Sequence, residues 1–277
     1  MWLPVIRMKE GVLRNVLGAC VAGWSLLKEN SRHLGRNAYD LIDSWRPDTT
    51  LNRKASSIEP HEFQKRVFER ILELSEEGGV LLLEAPTAMG KTEAVVAPFF
   101  YQLIADDWCI APRLIYTLPT KALTLTTYAR LKAYSAGIAY RFSTKELTVS
   151  FEYGSPIGLK HYLYGGVLTA TTLDAAVYGL VALRVPGGLK NPRLSMPAAL
   201  MASSVVVLDE VQLYQDEHYY TPRVIGEVIS SLAKAGALVI YMSATLPTML
   251  LKTVIKCNYV RETAEEKRTS RVEVNID

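Results

Sequence analysis

Residues 84–96 read EAPTAMGKTEAVV. The stretch comes close to a phosphate-binding loop, whose strict pattern is G-x-x-x-x-G-K-[ST]. Ala85 stands at the first glycine, and Ala88 occupies a free position where many such loops carry another. The parts that the chemistry requires are present. Gly90 lets backbone N–H groups close around a phosphate, Lys91 reaches the β- and γ-phosphates, and the Thr92 hydroxyl is suited to Mg2+. Without phosphates the Lys91 ammonium is expected to face solvent. Alanine is acceptable at 88 provided its backbone avoids positive φ. The flanks fit as well. Val80 to Leu83, after Gly78-Gly79, is a short continuous apolar run, as in a buried parallel strand. Thr92 onward is compatible with a helix that Pro98 limits or kinks. Strand, loop and helix in this order aim the positive end of a helix dipole at the phosphates.

Moving outward, apolar strands alternate with helical patterns. Helical spacing over 61–74 (Phe63, Val67, Ile71, Leu74) precedes the strand at 80. Further strands are expected at 114–118, 147–153, 167–171, 205–209 and 238–243, and helices at 120–134, 172–184, 222–235 and 247–256. This order predicts an α/β fold, a P-loop domain with a parallel sheet between helices. It should span residues 56–260. Residues 1–55 read as a mainly helical N-terminal extension. Its apolar stretch Val16 to Leu27 is too short to span a bilayer and no clean cleavage site follows it, so a buried helix is expected and no membrane role. Residues 261–277 read as a charged connector, then an alternating run at 271–276 expected to open a further domain.

The chain of 277 residues is 49% hydrophobic, enough for a large core, and its net charge of +3 neither requires nor excludes a nucleic-acid partner. Cys20, Cys109 and Cys257 form no C-x-x-C pair, which argues against zinc and a disulfide framework and fits a reducing cytoplasm.

A second motif lies at 205–212, VVVLDEVQ. Four apolar residues make a buried strand that delivers two carboxylates to its C-terminal end, where ligands sit in open α/β sheets. Asp209 is the candidate partner of Thr92 for Mg2+. Glu210 is the candidate to orient or deprotonate an attacking water. A strand ending in an acidic turn is common, but with the lysine loop upstream the pair describes a complete Mg-nucleotide site. A hydrolysing P-loop NTPase is expected, with Lys91 and Glu210 as catalytic residues.

The remaining motifs resemble those of the superfamily 2 helicases, in which alanine stands first in the phosphate loop, as Ala85 does here, followed by Pro86-Thr87. YTLPTKAL at 116–123 resembles the motif that meets the nucleic-acid backbone, which assigns Pro119, Thr120 and Lys121. LTATTLD at 168–174 resembles a later strand-contacting motif, with Thr171 and Thr172. YMSATLP at 241–247 resembles the motif coupling hydrolysis to strand movement, with Ser243 and Thr245, and Gln212 is assigned to the same coupling. Phe63-Gln64 resembles an adenine-reading glutamine motif. The nucleotide contacts implied are Phe63, Gln64 and residues Ala85, Pro86, Thr87, Ala88, Met89, Gly90, Lys91 and Thr92. Taken singly, the smaller motifs have ordinary readings: Thr171-Thr172 as a helix cap, Gln64 as a solvated helix residue.

Within that superfamily, APTAMGKTE, LPTKAL and LDEVQLY look most like the CRISPR-associated helicase of type I systems. The resemblance implies ATP-driven movement along single-stranded DNA beside a CRISPR effector complex, coupled to an HD nuclease. The chain departs from the pattern at Ala88, where glycine is usual, and at Gln212, where many members have histidine. His33, His61, His161 and His218 are not followed by aspartate, so the nuclease is expected on another polypeptide. A second RecA-like helicase domain carrying the arginine finger is expected beyond this chain. Arg113, Lys121 and Arg130 are expected at the sheet edge or the nucleic-acid face. The alternatives are another superfamily 2 DNA-repair or RNA helicase, or a lobe that binds ATP or a partner without turnover.

Overall fold

The computed structural model describes residues 10–153, 164–181, 196–214, 216–218, 220–245, 251, 254–255 and 257–264. Among these, seven strands form one sheet: β1 (Gly79–Glu84), β2 (Arg113–Leu118), β3 (Val149–Glu152), β4 (Leu168–Thr172), β5 (Ser204–Leu208), β6 (Leu238–Ser243) and β7 (Val260–Thr263). Their order is β3-β4-β2-β5-β6-β1-β7, and every pairing is parallel. The apolar runs are continuous because both faces are covered. Leu81, Leu83, Tyr116, Val205 and Val207 enter one core with Ile240 and Met242, whereas Val80, Leu82, Ile115, Val206, Leu208 and Tyr241 enter the other.

The first face carries α1 (Glu10–His33), α4 (Glu62–Ser75), α5 (Lys91–Ala105) and α6 (Lys121–Phe142). The second carries α7 (Leu173–Leu180), α8 (Met196–Ala202) and α9 (Tyr220–Lys234). The short α2 (Ala38–Leu41) and α3 (Thr50–Ala55) lie outside the first layer against α1 and α6. The expected helix at 120–134 runs on to Phe142, where Ser143 turns left-handed at φ 53°. α5 continues through Pro98 to Ala105. Of the helix expected over 247–256, only Leu251, Val254 and Ile255 are described; the strand expected at 271–276 lies outside the described residues.

The apolar stretch at 16–27 is a buried helix. Val16, Leu17, Ala19 and Cys20 of α1 share the core with Leu81 and Leu83 of β1. Glycines let α1 lie close against α3 and α6. A Cβ on Gly18 would lie 2.3 Å from the Ala55 carbonyl oxygen, on Gly23 2.5 Å from that of Ala133, and on Gly137 2.6 Å from that of Ala19. Among the described residues no helix is long and apolar enough to cross a membrane.

The charged stretch from Arg261 differs from expectation. It begins as β7, paired along β1 from Leu81↔Val260 to Glu84↔Thr263, so the division expected after residue 260 falls inside a strand. Charges on an edge strand hide it from a hydrophobicity reading, and here they are partnered. Glu262 meets Arg66 and Arg70 of α4, and Arg261 pairs with Glu84.

Gly137→Ala separates two effects. Helix propensity alone favours alanine by about 1 kcal/mol, but the new methyl group would collide with the α1 backbone. Overpacking of this kind costs about 1–3 kcal/mol, so urea unfolding should show a net loss of stability. An unchanged or higher midpoint would mean that α1 can shift at little cost.

Candidate functional site

The phosphate-loop residues leave β1 at Glu84 and enter α5 at Lys91. Ala85 is fully buried, with its N–H donating to the Ser243 carbonyl at 3.2 Å, so its methyl group fits where the strict pattern has glycine. Gly90 has φ 74°, which favours glycine, and a Cβ there would lie 2.5 Å from Gln64 Nε2 and displace that amide. Ala88 fails the condition set for it. Its φ is 68°, in the region that costs an L-residue about 1–2 kcal/mol. No side chain caps the first turn of α5, which leaves the anion-attracting N–H groups of a helix N-terminus to a phosphate. The residues therefore fit a nucleotide triphosphate tail.

Lys91 does not face solvent. It is 8% exposed, and its ammonium donates to the Ala85 carbonyl oxygen at 2.7 Å. Folding back over the loop gives the buried charge a hydrogen-bond acceptor.

Thr92 and Asp209, far apart in sequence, come to a single hydroxyl. The Tyr116 phenol is 2.7 Å from Asp209 Oδ2 and 3.3 Å from Thr92 Oγ1. Asp209 Oδ1 accepts the Glu210 N–H at 2.8 Å. Burial raises the Asp209 pKa above its ordinary value and the Glu210 charge adds to this, against the Tyr116 and Glu210 N–H hydrogen bonds and the Lys91 charge. Burial and then the Asp209 charge push the Tyr116 phenol well up, so it stays protonated. A hydroxyl and a carboxylate converging beside the phosphate loop are an oxygen donor set suited to Mg2+.

Arg130 was expected at the sheet edge or the nucleic-acid face and is instead in this site. Its Nη1 donates to Thr92 Oγ1 at 3.2 Å, its Nη2 to Glu93 Oε1 and its Nε to the Tyr134 hydroxyl. Tyr134 also donates to Glu93 Oε1. Burial opposes ionisation of Glu93, but the Arg130 charge and the hydrogen bonds from Tyr134 and Arg130 outweigh it and hold the carboxyl below its ordinary value. The available signal was periodicity: Thr127, Leu131, Tyr134 and Ile138 mark the buried face of α6, and Arg130 lies one turn before Tyr134 beside it. Arg113, by contrast, sits at the opposite, N-terminal end of β2, where it donates to the Gly165 and Gly166 carbonyls.

Glu210 follows β5 in a left-handed conformation, φ 52°, and a 3₁₀ turn over Val211–Tyr214 comes next. The Gln212 amide N–H donates to Glu210 Oε2, and Ser243 Oγ lies within hydrogen-bond distance of Gln212 Oε1 and of the Thr245 carbonyl. Ser243 Oγ also accepts the Thr245 N–H at 3.1 Å. One polar chain thus joins Glu210 to the segment after β6.

Phe63 is buried in the first core. Gln64 is buried too, with Nε2 donating to the Gly90 carbonyl at 3.3 Å and Oε1 accepting the His61 N–H at 3.0 Å. It clamps the loop to α4, with both ends of its amide engaged within the protein rather than turned toward a base. Pro119, Thr120 and Lys121 lie at the C-terminal end of β2, the last two exposed. Thr120 caps α6 by accepting the Leu123 N–H at 3.3 Å. The Lys121 ammonium lies 5.6 Å from the Tyr153 ring centroid. Thr172, in register with Leu118, is adjacent, but its hydroxyl caps α7 through the Ala175 N–H. Thr171 is fully buried and donates to the Thr172 carbonyl. Among the described residues no group of three or more His, Cys, Asp or Glu could hold a metal ion.

A protein family described as DEAD/DEAH box helicase matches residues 61–253. The CRISPR-associated helicase Cas3 of Thermoproteus tenax is 41% identical over 180 residues, 64% of this chain and 31% of that protein. The CRISPR-associated nuclease/helicase Cas3 of Streptococcus thermophilus is 26% identical over 238 residues, 76% of this chain and 25% of that protein. The chain therefore spans less than a third of the length of these relatives. The crystal structure of T. fusca Cas3-ATP is similar in fold, with TM-score 0.53 and 22% identity over 72% of this chain and 22% of that one. So is that of the DUF1998 helicase MrfA bound to DNA, with TM-score 0.51 and 20% identity over 74% and 27%.

The left-handed backbone at Ala88 sets a test. Ala88→Gly should raise the unfolding free energy by about 0.5–1 kcal/mol, the relieved strain less the added chain entropy of glycine. It should also tighten binding of a fluorescent ATP analogue. Lower stability in the glycine variant would show that the alanine methyl group has a packing role.

Proposed function

The chain belongs to the DEAD/DEAH box helicase family, and we propose that it is the first RecA-like lobe of an ATP-driven translocase acting on single-stranded DNA in a type I CRISPR interference system. The observation that carries a motor rather than a plain nucleotide site is the polar chain from Glu210 through Gln212 to Ser243 and Thr245. The residue proposed to orient the attacking water is wired to the segment proposed to report hydrolysis. Similarity to two CRISPR-associated Cas3 proteins supports the pathway.

In this reading the α5 N-terminus and Lys91 bind the phosphates, exchanging the Ala85 carbonyl for a phosphate oxygen. Thr92 and Asp209 hold Mg2+, which when bound offsets phosphate charge. Pro119, Thr120, Lys121 and the adjacent Thr172 face the nucleic-acid backbone, so binding is insensitive to base sequence. A second RecA-like domain closes the cleft, and the assembly works with an HD nuclease and a CRISPR effector complex in the cytoplasm. A second reading concerns the chain by itself: it binds nucleotide with little turnover. Arg130 favours this, because its charge is paired with Glu93 and does not replace an arginine finger from another lobe.

The test is steady-state phosphate release by the purified chain with single-stranded DNA or RNA in excess. An absent finger costs about 10³–10⁵ in rate, so turnover should be very slow, and any DNA binding should fall steeply with salt. With the second lobe supplied, DNA should stimulate hydrolysis more than RNA does, and Lys91→Ala should abolish it while cooperative unfolding persists. Turnover on the order of 1 per second by the chain alone, lost in Lys91→Ala, would overturn the one-lobe reading.

A further inference from the structure

We propose that Tyr116 and Arg130 are positioning residues for Mg-nucleotide, which set the Thr92 hydroxyl and the Asp209 carboxylate facing one another before the ligand arrives. The inference rests on the nucleotide-site reading above and adds to it two residues outside the phosphate loop and the Asp-Glu pair.

Proton bookkeeping supports the assignment. The Tyr116 phenol has one proton and two neighbours, Asp209 Oδ2 at 2.7 Å and Thr92 Oγ1 at 3.3 Å. The shorter contact to a carboxylate takes that proton, because charge-assisted hydrogen bonds are the stronger ones. The longer contact then runs the other way, with the Thr92 hydroxyl donating to the phenol oxygen. A hydroxyl carries one proton and two lone pairs. Arg130 Nη1 occupies one lone pair at 3.2 Å, which leaves the other for a cation.

Each partner is held from behind. Asp209 is fixed through its second oxygen by the Glu210 N–H. Arg130 is anchored by Glu93 and Tyr134. Tyr116 is fully buried on β2, between β4 and β5. Four elements, β2, β5, α5 and α6, thus converge on two oxygen atoms. Hydrogen-bonding partners of metal ligands characteristically tune affinity in this way.

Tyr116→Phe removes one hydroxyl and keeps the ring. Binding of a fluorescent ADP analogue to this chain is measured with Mg2+ and with EDTA, alongside the urea-unfolding midpoint. Tyr116→Phe should lose about 10-fold of the Mg-dependent gain in affinity while its affinity in EDTA stays at the wild-type value. Arg130→Gln should behave alike, and Arg130→Lys should recover part of the gain. Arg130→Gln carries the test if Tyr116→Phe does not fold. An unaltered Mg-dependence, or an equal loss with Mg2+ and with EDTA, would overturn the inference and leave these residues as packing. Lys91→Ala distinguishes the two levels. If it loses binding in both conditions while Tyr116→Phe behaves as wild type, this inference alone fails. If Lys91→Ala binds as wild type, the nucleotide-site reading fails and takes the inference with it.

Discussion

Strands that pair in parallel place all their C-terminal ends along one edge of a sheet, and each return connection must cross a face. In this chain every described pairing is parallel, so the loops after β1, β2, β4, β5 and β6 open on the same side. That constraint brings Lys91, Thr120, Thr172, Asp209 and Ser243 to one rim from segments scattered through the sequence. It also dictates composition. Crossovers cover both faces, so the central strands β1, β5 and β6 are apolar on both between their ends.

The rim is an expensive place for charge. Lys91, Glu93 and Asp209 are each under one tenth exposed, and desolvating such groups costs several kcal/mol apiece unless partners offset it. The structure distributes partners accordingly. Glu93 has Arg130 and Tyr134, Lys91 has a carbonyl oxygen, and Asp209 has a phenol and a backbone N–H. Removing one member strands the other, at about 3–5 kcal/mol for a broken buried ion pair. Strain adds to the cost: Ala88 and Glu210, one in the loop and one beside Asp209, both adopt left-handed backbone. Such strain persists where surrounding contacts over-determine the conformation.

What could be read before folding follows from this division. Val80–Leu83 and Val205–Leu208 announce themselves because burial on both faces leaves no polar residue to interrupt the run. Gly90, Lys91, Thr92, Asp209 and Glu210 are legible because their spacing is local and their chemistry specific. Arg130 is not: its role depends on α6 packing across α5, and along the chain it is one basic residue among 31 Lys and Arg. β7 is hidden for a different reason. Val-Arg-Glu-Thr has no hydrophobic signature, and its strand character comes from β1 and from charges on α4 and β1. Lys91's inward turn and the φ of Ala88 are products of a closed loop, and no residue type encodes them.

The arrangement of β7 has a mechanical corollary. Its end is stitched to the residue that opens the phosphate loop: the Ala264 N–H donates to the Glu84 carbonyl at 2.9 Å, and Arg261 grips the Glu84 carboxylate. Helix α4 grasps the same two places, Gly90 through Gln64 and Glu262 through Arg66 and Arg70. Tension along β7 is thus borne by a strut that ends at the phosphate loop, with α4 as its yoke. The arginines of that yoke are half-exposed while Glu262 is mostly buried, so salt loosens the pairs only in part, whereas the backbone ladder between β1 and β7 does not yield to ionic strength. A load carried by two kinds of fastening, one sensitive to the medium and one indifferent to it, slackens in stages rather than all at once.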